Sequence, residues 1–171
     1  RPHFFTGVAT VVFQLFAQTD ADKAVFGEKD FQQLRVIQQM VRDLHIEMEV
    51  LAAPTLREAD GLAMSSRNGY LDAAQRAQAP ALYQTLQKAA EELRAGGAVK
   101  AVLAAAQDAL ATAGFDSVDY FELRTTDTLT SVMQQNDKVD WVADGGATER
   151  KAILLVAAYM GDVRLIDNLL V

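Results

Sequence analysis

Apolar residues recur at helical spacing twice near the start of the chain. Over residues 5–16 they follow the three- and four-residue steps of a helix, although Thr10 and two adjacent valines lower the intrinsic propensity. A second stripe follows Asp30, which is in position to cap a helix that runs to about Leu44. The stripe comprises Phe31, Leu34, Ile37, Val41 and Leu44. We therefore expect two helices, the first stabilised by burial more than by propensity.

Two short runs flank the second helix and suit β-strands. Residues 23–26 precede Gly27, and residues 48–53 precede Pro54, which cannot donate a backbone hydrogen bond to a sheet. Strand, helix and strand in this order predict a βαβ unit with parallel strands and a right-handed crossover.

Beyond Pro54 the pattern predicts a small α+β domain. Residues 56–71 show no periodicity and suggest a long loop, which is a frequent location for functional residues. Amphipathic helices are expected over 73–94 and 98–113, and Pro80 should kink the first or mark its true start. Strands are expected over residues 117–124, 152–159 and 163–167, with a polar loop over 134–150.

Composition narrows the possible partners. The formal net charge is −7, which argues against binding to nucleic acid or to a membrane surface, because either would require a basic face on the protein. Cysteine is absent, which excludes disulfides and cysteine-ligated metals. No apolar run reaches the ~20 residues of a membrane span. The first residues show no signal-peptide pattern and resemble the middle of a protein, so we expect a cytoplasmic protein.

The first candidate site is Gly27-Glu28-Lys29-Asp30, directly after a predicted strand and at the start of a predicted helix. Ligands bind at the carboxyl ends of strands in open parallel sheets, and a helix N-terminus favours an anion. Glycine lets the backbone approach a phosphate, Lys29 supplies positive charge, and Asp30 suits ribose hydroxyls. Taken alone, this short motif is better explained as a solvated turn whose Glu28 and Asp30 carboxylates cap a helix.

The second candidate is Met64-Ser65-Ser66-Arg67-Asn68 within the long loop. Two hydroxyls beside a guanidinium, which can form two parallel hydrogen bonds to one anion, suit a polyphosphate. The alternative is an ordinary serine and asparagine turn with an exposed arginine.

The two motifs are more specific together than alone. Residues 27–34 are GEKDFQQL, residues 57–68 are READGLAMSSRN, and residues 164–168 are RLIDN. With these motifs the chain resembles the pantothenate synthetase (pantoate–β-alanine ligase) family over nearly its whole length. The resemblance implies an α/β fold. Residues 1–55 would be the C-terminal part of a Rossmann-like nucleotidyl-transferase domain, and residues 56–171 a small α+β lid domain with an antiparallel sheet.

The resemblance implies that the first motif contributes to an ATP site. Gly27, Glu28, Lys29 and Asp30 would line it, with Lys29 near the phosphates and Asp30 near the ribose. Gln33, one helical turn further on, would bind pantoate.

The long loop would complete that site. Leu56 would contact the adenine largely through its backbone, while Met64, Ser65, Ser66 and Arg67 would hold the triphosphate. The residues assigned to catalysis by the resemblance are Lys29, Ser65 and Arg67.

The implied reaction joins pantoate to β-alanine in two steps. The pantoate carboxylate attacks the α-phosphorus of ATP and releases pyrophosphate, and the β-alanine amine then attacks the acyl-adenylate and releases AMP. Mg²⁺ would bridge phosphate oxygens, and no protein metal site is implied. Catalysis would come mainly from positioning and electrostatic stabilisation. The resemblance also implies a homodimer for the full-length protein.

The chain departs from the family pattern in its histidines. The family's HxGH-type motif is absent, and with it the β-alanine residues and part of the pantoate pocket, so we expect at most residual activity from this chain. Aligned from Gly7, the histidine of the family's RPGHFxGV run corresponds to Phe4, whereas His3 falls on the glycine. His45, at the end of a predicted helix, is not expected to be catalytic.

Two other functions remain open from sequence. One is a related adenylate-forming or nucleotidyl-transferase module that acts on another carboxylate. The other is a non-catalytic interaction domain built on the helices of residues 73–113, in which both motifs are only turns. ATP binding, and its dependence on Lys29 and Arg67, distinguishes the last from the first two.

Overall fold

The computed structural model describes residues 2–132 and 152–171, so the polar segment predicted as a loop over 134–150 lies outside the described residues. The chain divides into two compact units, Arg1–Thr55 and Leu56–Val171. Its helices are α1 Pro2–Thr19, α2 Phe31–Asp43, α3 Ala73–Gln78, α4 Ala81–Arg94 and α5 Val99–Thr112, with 3₁₀ turns at Glu28–Asp30 and Ser66–Tyr70. Its strands are β1 Lys23–Gly27, β2 Glu49–Ala53, β3 Ser117–Thr125, β4 Ala152–Met160 and β5 Val163–Leu170.

The first unit contains the predicted βαβ arrangement. Strands β1 and β2 pair in parallel, with Lys23 opposite Glu49 and Gly27 opposite Ala53. Helix α2 packs against both strands and against α1. Its buried residues are Phe31, Leu34 and Ile37. Leu44 was predicted on the same buried stripe, and this was wrong: it caps the helix after Asp43 and is 56% exposed.

The same unit exposes large apolar side chains. On the sheet, Val25 is 65% exposed and Leu51 37% exposed. Others on α1 are Phe4, Val11, Phe13 and Leu15. The packing of α1 and α2 therefore covers only part of the apolar surface of this unit.

The second unit is built on the antiparallel sheet β3–β4–β5, which confirms the antiparallel sheet expected there. Residues 152–158 of the central strand are all buried, which explains why its sequence is continuously apolar instead of alternating. Helices α4 and α5 pack against each other and contribute Leu82, Leu86, Leu93, Leu103 and Leu110 to the same core.

The helix expected over residues 73–94 is instead two helices. Asp72 and Gln75 form a capping box that starts α3, and Pro80 occupies the N-cap position of α4. Proline lacks the N–H that an uninterrupted helix needs and is tolerated near a helix start, so Pro80 marks the true beginning of the longer helix. None of the helices in residues 2–132 and 152–171 is long and apolar enough to cross a membrane.

Candidate functional site

The first motif lies where the sequence pattern predicts it. Gly27 ends β1, a 3₁₀ turn over Glu28–Asp30 follows, and α2 begins at Phe31. Glu28 and Lys29 are half-buried, whereas Gly27 and Asp30 are exposed. The four residues therefore connect the carboxyl end of a parallel strand to a helix N-terminus, an arrangement that favours an anionic ligand.

Two details of this turn bear on whether it is only a cap. Gly27 has φ −71° and ψ 136°, which any residue adopts, and a Cβ at this position would meet no atom within 4 Å. Asp30 occupies the N-cap position of α2, yet its side chain forms no capping hydrogen bond among the described residues. Neither backbone conformation nor local packing therefore requires glycine here, and the Asp30 carboxylate is not used as a helix cap.

Gln33 lies in the first turn of α2 and is half-buried. It follows Lys29 by four residues and Asp30 by three. Because Gln33 lies in the first turn, the structure places it at the end of α2 that carries the motif. Because Ala53 pairs with Gly27, β2 ends at the same edge, three residues before Leu56 in the chain.

The segment expected to be an irregular loop begins as a small hairpin. Arg57 and Ala63 form an isolated antiparallel bridge, and the N–H of Met64 donates to the carbonyl of Leu56 at 2.9 Å. Gly61, with φ +93°, provides the turn. The hairpin brings Leu56 and Met64 side by side, and their side chains are 73% and 55% exposed.

The serine–arginine motif forms the 3₁₀ turn that follows the hairpin. Ser65 caps it, because its Oγ accepts a hydrogen bond from the backbone N–H of Arg67 at 3.2 Å. Ser66 and Arg67 are exposed. The Arg67 guanidinium has no hydrogen-bond or ion-pair partner in the described part of the chain. Ser65 thus shapes the turn, while the Ser66 hydroxyl and the Arg67 guanidinium remain accessible.

A cavity of about 700 Å³ adjoins Arg67 within the second unit. It is lined by Arg67, Tyr70, Asp72, Gln75 and residues 160–164. Arg164, which also lines the cavity, is already paired, since its Nη2 donates to Asp119 Oδ2 at 2.7 Å. Burial raises the pKa of the adjacent Tyr120, which keeps this phenol neutral over the ordinary pH range. The space is large enough for a small-molecule ligand.

Sequence reasoning missed the side chains that hold the hairpin and turn in place. Arg57 pairs with Asp167 of β5, and Arg76 of α3 pairs with Glu58 and Asp60. The hydrogen bond from Arg76, supported by the N–H of Leu62, lowers the pKa of Asp60. Arg57 and Asp167 lie 110 positions apart, so no local pattern could have indicated their contact.

Neither histidine belongs to either candidate motif in the sequence. His3 and Phe4 both lie in the first turn of α1. Consecutive side chains of a helix diverge by about 100° around its axis, so His3 does not point in the direction of Phe4. His45 follows the end of α2, has φ +50° and is exposed. Residues 2–132 and 152–171 contain no cluster of three or more potential metal-ligating side chains.

Comparisons with known proteins agree on one family. The family model described as pantoate-beta-alanine ligase matches residues 1–170. A pantothenate synthetase of Shewanella piezotolerans is 50% identical over the whole chain, which covers 56% of that relative. One of Bradyrhizobium sp. is also 50% identical, again with 56% of its length covered. The chain therefore spans a little over half the length of these relatives.

Solved structures show the same likeness. A crystal structure of pantothenate synthetase from Thermus thermophilus matches 95% of this chain with a TM-score of 0.80 and 42% identity, over 54% of its own length. A pantoate-beta-alanine ligase from Francisella tularensis, complexed with beta-gamma ATP and beta-alanine, matches 99% of the chain with a TM-score of 0.69 and 27% identity, over 51% of its own length.

Proposed function

The chain belongs to the pantoate–β-alanine ligase family, and from that premise we propose that it forms part of an ATP-dependent ligase that condenses pantoate with β-alanine. The relatives carry this activity in their names, and a homologous structure was solved with an ATP compound and β-alanine. The chain covers little more than half of those proteins, so the complete reaction is assigned to a longer protein of which these residues are a portion.

The proposed chemistry has two balanced steps. The pantoate carboxylate attacks the α-phosphorus of ATP, a P–O bond forms, and pyrophosphate leaves. The β-alanine amine then attacks the acyl carbon of the adenylate, an amide bond forms, AMP leaves with the bonding electron pair, and the amine loses a proton to solvent. Both steps develop negative charge on phosphate oxygens, so cationic and N–H donors that are already in position provide much of the catalysis.

The turn after β1 is proposed to bind the nucleotide through Gly27, Glu28, Lys29 and Asp30. The exposed Gly27 leaves room for a ligand against the backbone, and the start of α2 favours an anion. Lys29 would neutralise phosphate charge, and Asp30, whose carboxylate is not used as a cap, would accept from ribose hydroxyls. Gln33, at the same end of α2, is proposed for pantoate.

The hairpin and turn of the second unit are proposed to bind a nucleotide. Leu56 and Met64 are adjacent, apolar and exposed, which suits contact with an adenine face and edge. The backbone then turns so that Ser66 and Arg67 are presented to solvent, which suits a triphosphate. Ser65 would contribute mainly by shaping that turn, since its hydroxyl already accepts from Arg67 N–H.

Mg²⁺ is proposed to arrive with the nucleotide. This ion commonly takes one or two carboxylates together with substrate phosphates and water, so a protein cage of three side chains is not expected for it. The exposed Asp30 carboxylate is of the right donor type to stand beside such a complex. A homodimeric full-length enzyme in the cytoplasm, with small molecules as its only substrates, completes the proposal.

One observation carries the proposal more than any other: within the serine–arginine turn, the side chains of Ser66 and Arg67, which suit phosphate, are exposed and make no hydrogen bond or ion pair with the described residues. Arg67 makes no side-chain hydrogen bond or ion pair there, and Ser66 is exposed beside it. In an ordinary surface turn these residues would have no reason to coincide with an exposed Leu56 and Met64 pair.

The test is a titration of Mg–ATP into the chain, followed by NMR because that method detects millimolar dissociation constants. Lys29→Ala and Arg67→Ala should each weaken binding about ten-fold or more, since a charge-assisted hydrogen bond contributes ~1.5–3 kcal/mol. Lys100→Ala is the matched control, because Lys100 is an exposed cation on α5 outside both motifs.

Equal binding by all four proteins, or no binding by any, would favour the non-catalytic interaction domain. Pyrophosphate release with pantoate and ATP measures the reaction itself, and we expect at most residual turnover from this chain. Rapid turnover would show that these residues alone suffice for catalysis and would refute the assignment of essential groups to a further segment.

A further inference from the structure

The arm of the hairpin that carries Leu56 also carries Arg57, whose guanidinium points the other way, into the second unit. Its Nη1 and Nη2 donate to the two carboxylate oxygens of Asp167 at 2.6 and 3.0 Å. Nη1 also donates to the carbonyl of Gly61 at 3.1 Å, and the group lies 3.5 Å from the centre of the Tyr83 ring. One side chain thereby links the hairpin to β5, to α4 and to its own turn.

The Asp167 end of this link is the more buried one, with its side chain 1% exposed against 19% for Arg57. Asp167 is 3% exposed, and its Oδ1 also accepts from the backbone N–H of Asn168 at 2.8 Å. A buried carboxylate that accepts from a planar two-donor fork fixes both the distance and the orientation of the arginine. Lysine offers a single point charge and cannot reproduce this geometry.

A second set of contacts holds the other end of the segment. Asn68 Nδ2 donates to Glu58 Oε1 at 3.1 Å and to the carbonyl of Ala63 at 3.2 Å. Arg76 donates to Glu58 Oε2 at 3.2 Å and to Asp60 Oδ2 at 2.5 Å. Residues 57–68 were recognised as a motif for their expected role in binding phosphate. The same run contains Arg57, Glu58, Asp60 and Asn68, which are most of the side chains that hold it in place.

The side chains that hold this segment in place are not the ones that it exposes to solvent. Arg57, Glu58 and Asn68 are partly buried and engaged within the unit, whereas Leu56, Met64 and Arg67 are exposed. A segment of this kind, with little regular structure, pays a conformational cost on binding a ligand unless it is already ordered. The Arg57–Asp167 pair supplies that order.

We propose that Arg57, through its bidentate contact with Asp167, is a positioning residue that preorganises the Leu56–Arg67 surface for the nucleotide polyphosphate. This inference rests on the proposed function, because it names what the loop is ordered for. Arg57 itself does not touch the nucleotide. Its effect is on the fraction of molecules in which the loop has the binding-competent shape.

The experiment compares Arg57→Lys and Asp167→Asn with Arg94→Lys. Arg94 is the matched control, because its Nη2 donates to the carbonyl of Leu170, also on β5, from an exposed position outside the loop. If about a tenth of Arg57→Lys molecules retain the competent loop, the dissociation constant for Mg–ATP rises about ten-fold. Arg94→Lys should bind as the wild type does. All titrations are made at a temperature where circular dichroism shows each protein folded.

Hydrogen exchange provides a readout that does not depend on ATP. The amide of Met64 donates to Leu56 and that of Asn68 to Ser65, so both report closure of the segment. In Arg57→Lys they should exchange about ten-fold faster in the free protein, and saturating ATP should remove most of the difference. The double variant Arg57→Lys/Asp167→Asn should bind no more than about two-fold worse than the weaker single variant, because both break one contact.

The outcomes separate the inference from the function it rests on. A wild-type chain that shows no ATP-dependent change contradicts the proposed function, and the inference with it. A wild-type chain that binds, with an Arg57→Lys variant that binds equally well, contradicts the inference alone. A variant that melts earlier yet keeps its ATP affinity and its exchange rates at Met64 and Asn68 assigns Arg57 a purely structural role. If Asp167→Asn does not fold, Arg76→Lys is compared with Arg94→Lys instead. This substitution weakens the contacts of Arg76 with Glu58 and Asp60, which are the more exposed of the two sets that hold the segment.

Discussion

Replacing Asp167 by asparagine tests how much the link from Arg57 to β5 stabilises the second unit. The amide has nearly the shape of the carboxylate, but only one of its terminal atoms can accept a hydrogen bond. The other is an NH₂ group that faces an Arg57 N–H, so two donors meet where an ion pair stood. Arg57 keeps the Gly61 carbonyl and the Tyr83 ring as contacts, and at most one of its two hydrogen bonds to residue 167, now to a neutral oxygen.

The magnitude follows from burial. Breaking a buried ion pair from one side costs about 3–5 kcal/mol, because an uncompensated charge remains. The Asp167 side chain is 1% exposed, but that of Arg57 is 19% exposed, so water reaches part of the stranded cation. We therefore expect a loss at the lower limit, about 3 kcal/mol. For a unit of this size the melting temperature should fall by roughly 10–15 °C.

The assay is thermal and urea unfolding at neutral pH, with Asp119→Asn as the control. Asp119 pairs with Arg164 in the same sheet at 2.7 Å, but the two side chains are 37% and 21% exposed. Exposed pairs contribute about 0–1 kcal/mol, so this variant should lose less than 1 kcal/mol. Equal losses in the two variants would refute the reasoning from burial. A loss below about 1 kcal/mol in Asp167→Asn would show that the pair is not a structural anchor.

Two further substitutions examine the hairpin. Gly61→Ala should lower the free energy of unfolding in urea by about 1–3 kcal/mol, because φ is +93° and the new Cβ would lie 3.1 Å from the Tyr83 ring. The control Gly69→Ala, where a Cβ meets nothing within 4 Å, should change the stability little. Similar losses in the two variants would contradict the strain argument. Arg76 lowers the pKa of Asp60 below its ordinary 3.8, so the native protein binds fewer protons than the unfolded chain just below that pH. The stability difference between wild type and Asp60→Asn, measured by urea unfolding across pH, should hold above pH 3.8 and shrink as the pH falls through the native pKa of Asp60. A difference that is undiminished in strong acid would show that the ion pair is not its source.

The sequence pattern predicted most of the secondary structure because helix and strand periodicity are local properties. It identified β1, α2 and β2 in order, and their parallel pairing is the one that a strand–helix–strand unit favours. Its error occurred at a helix end, where Leu44 continued the helical spacing but lies beyond the last helical residue. Pro80 was expected to kink the following helix or to mark its true start, and it marks the start of α4.

The candidate residues were identifiable for a different reason. The GEKD and SSRN motifs consist of consecutive residues whose chemistry suits a polyphosphate, so their likeness to a known family could be seen without coordinates, and the family comparison confirmed it. The hairpin within residues 56–64 was not foreseen, because its strand arms are too short to show an alternating pattern.

Consecutive residues thus determined the elements, the motifs and the family, since each depends on neighbours in the chain. Only the folded second unit decided which of the loop's side chains are anchored and which are presented. Arg57 meets Asp167 across 110 positions, and Arg76 reaches Asp60 from another helix. Such contacts depend on how β5, α3 and α4 pack around one core, and that packing is a property of the whole unit, not of any segment within it.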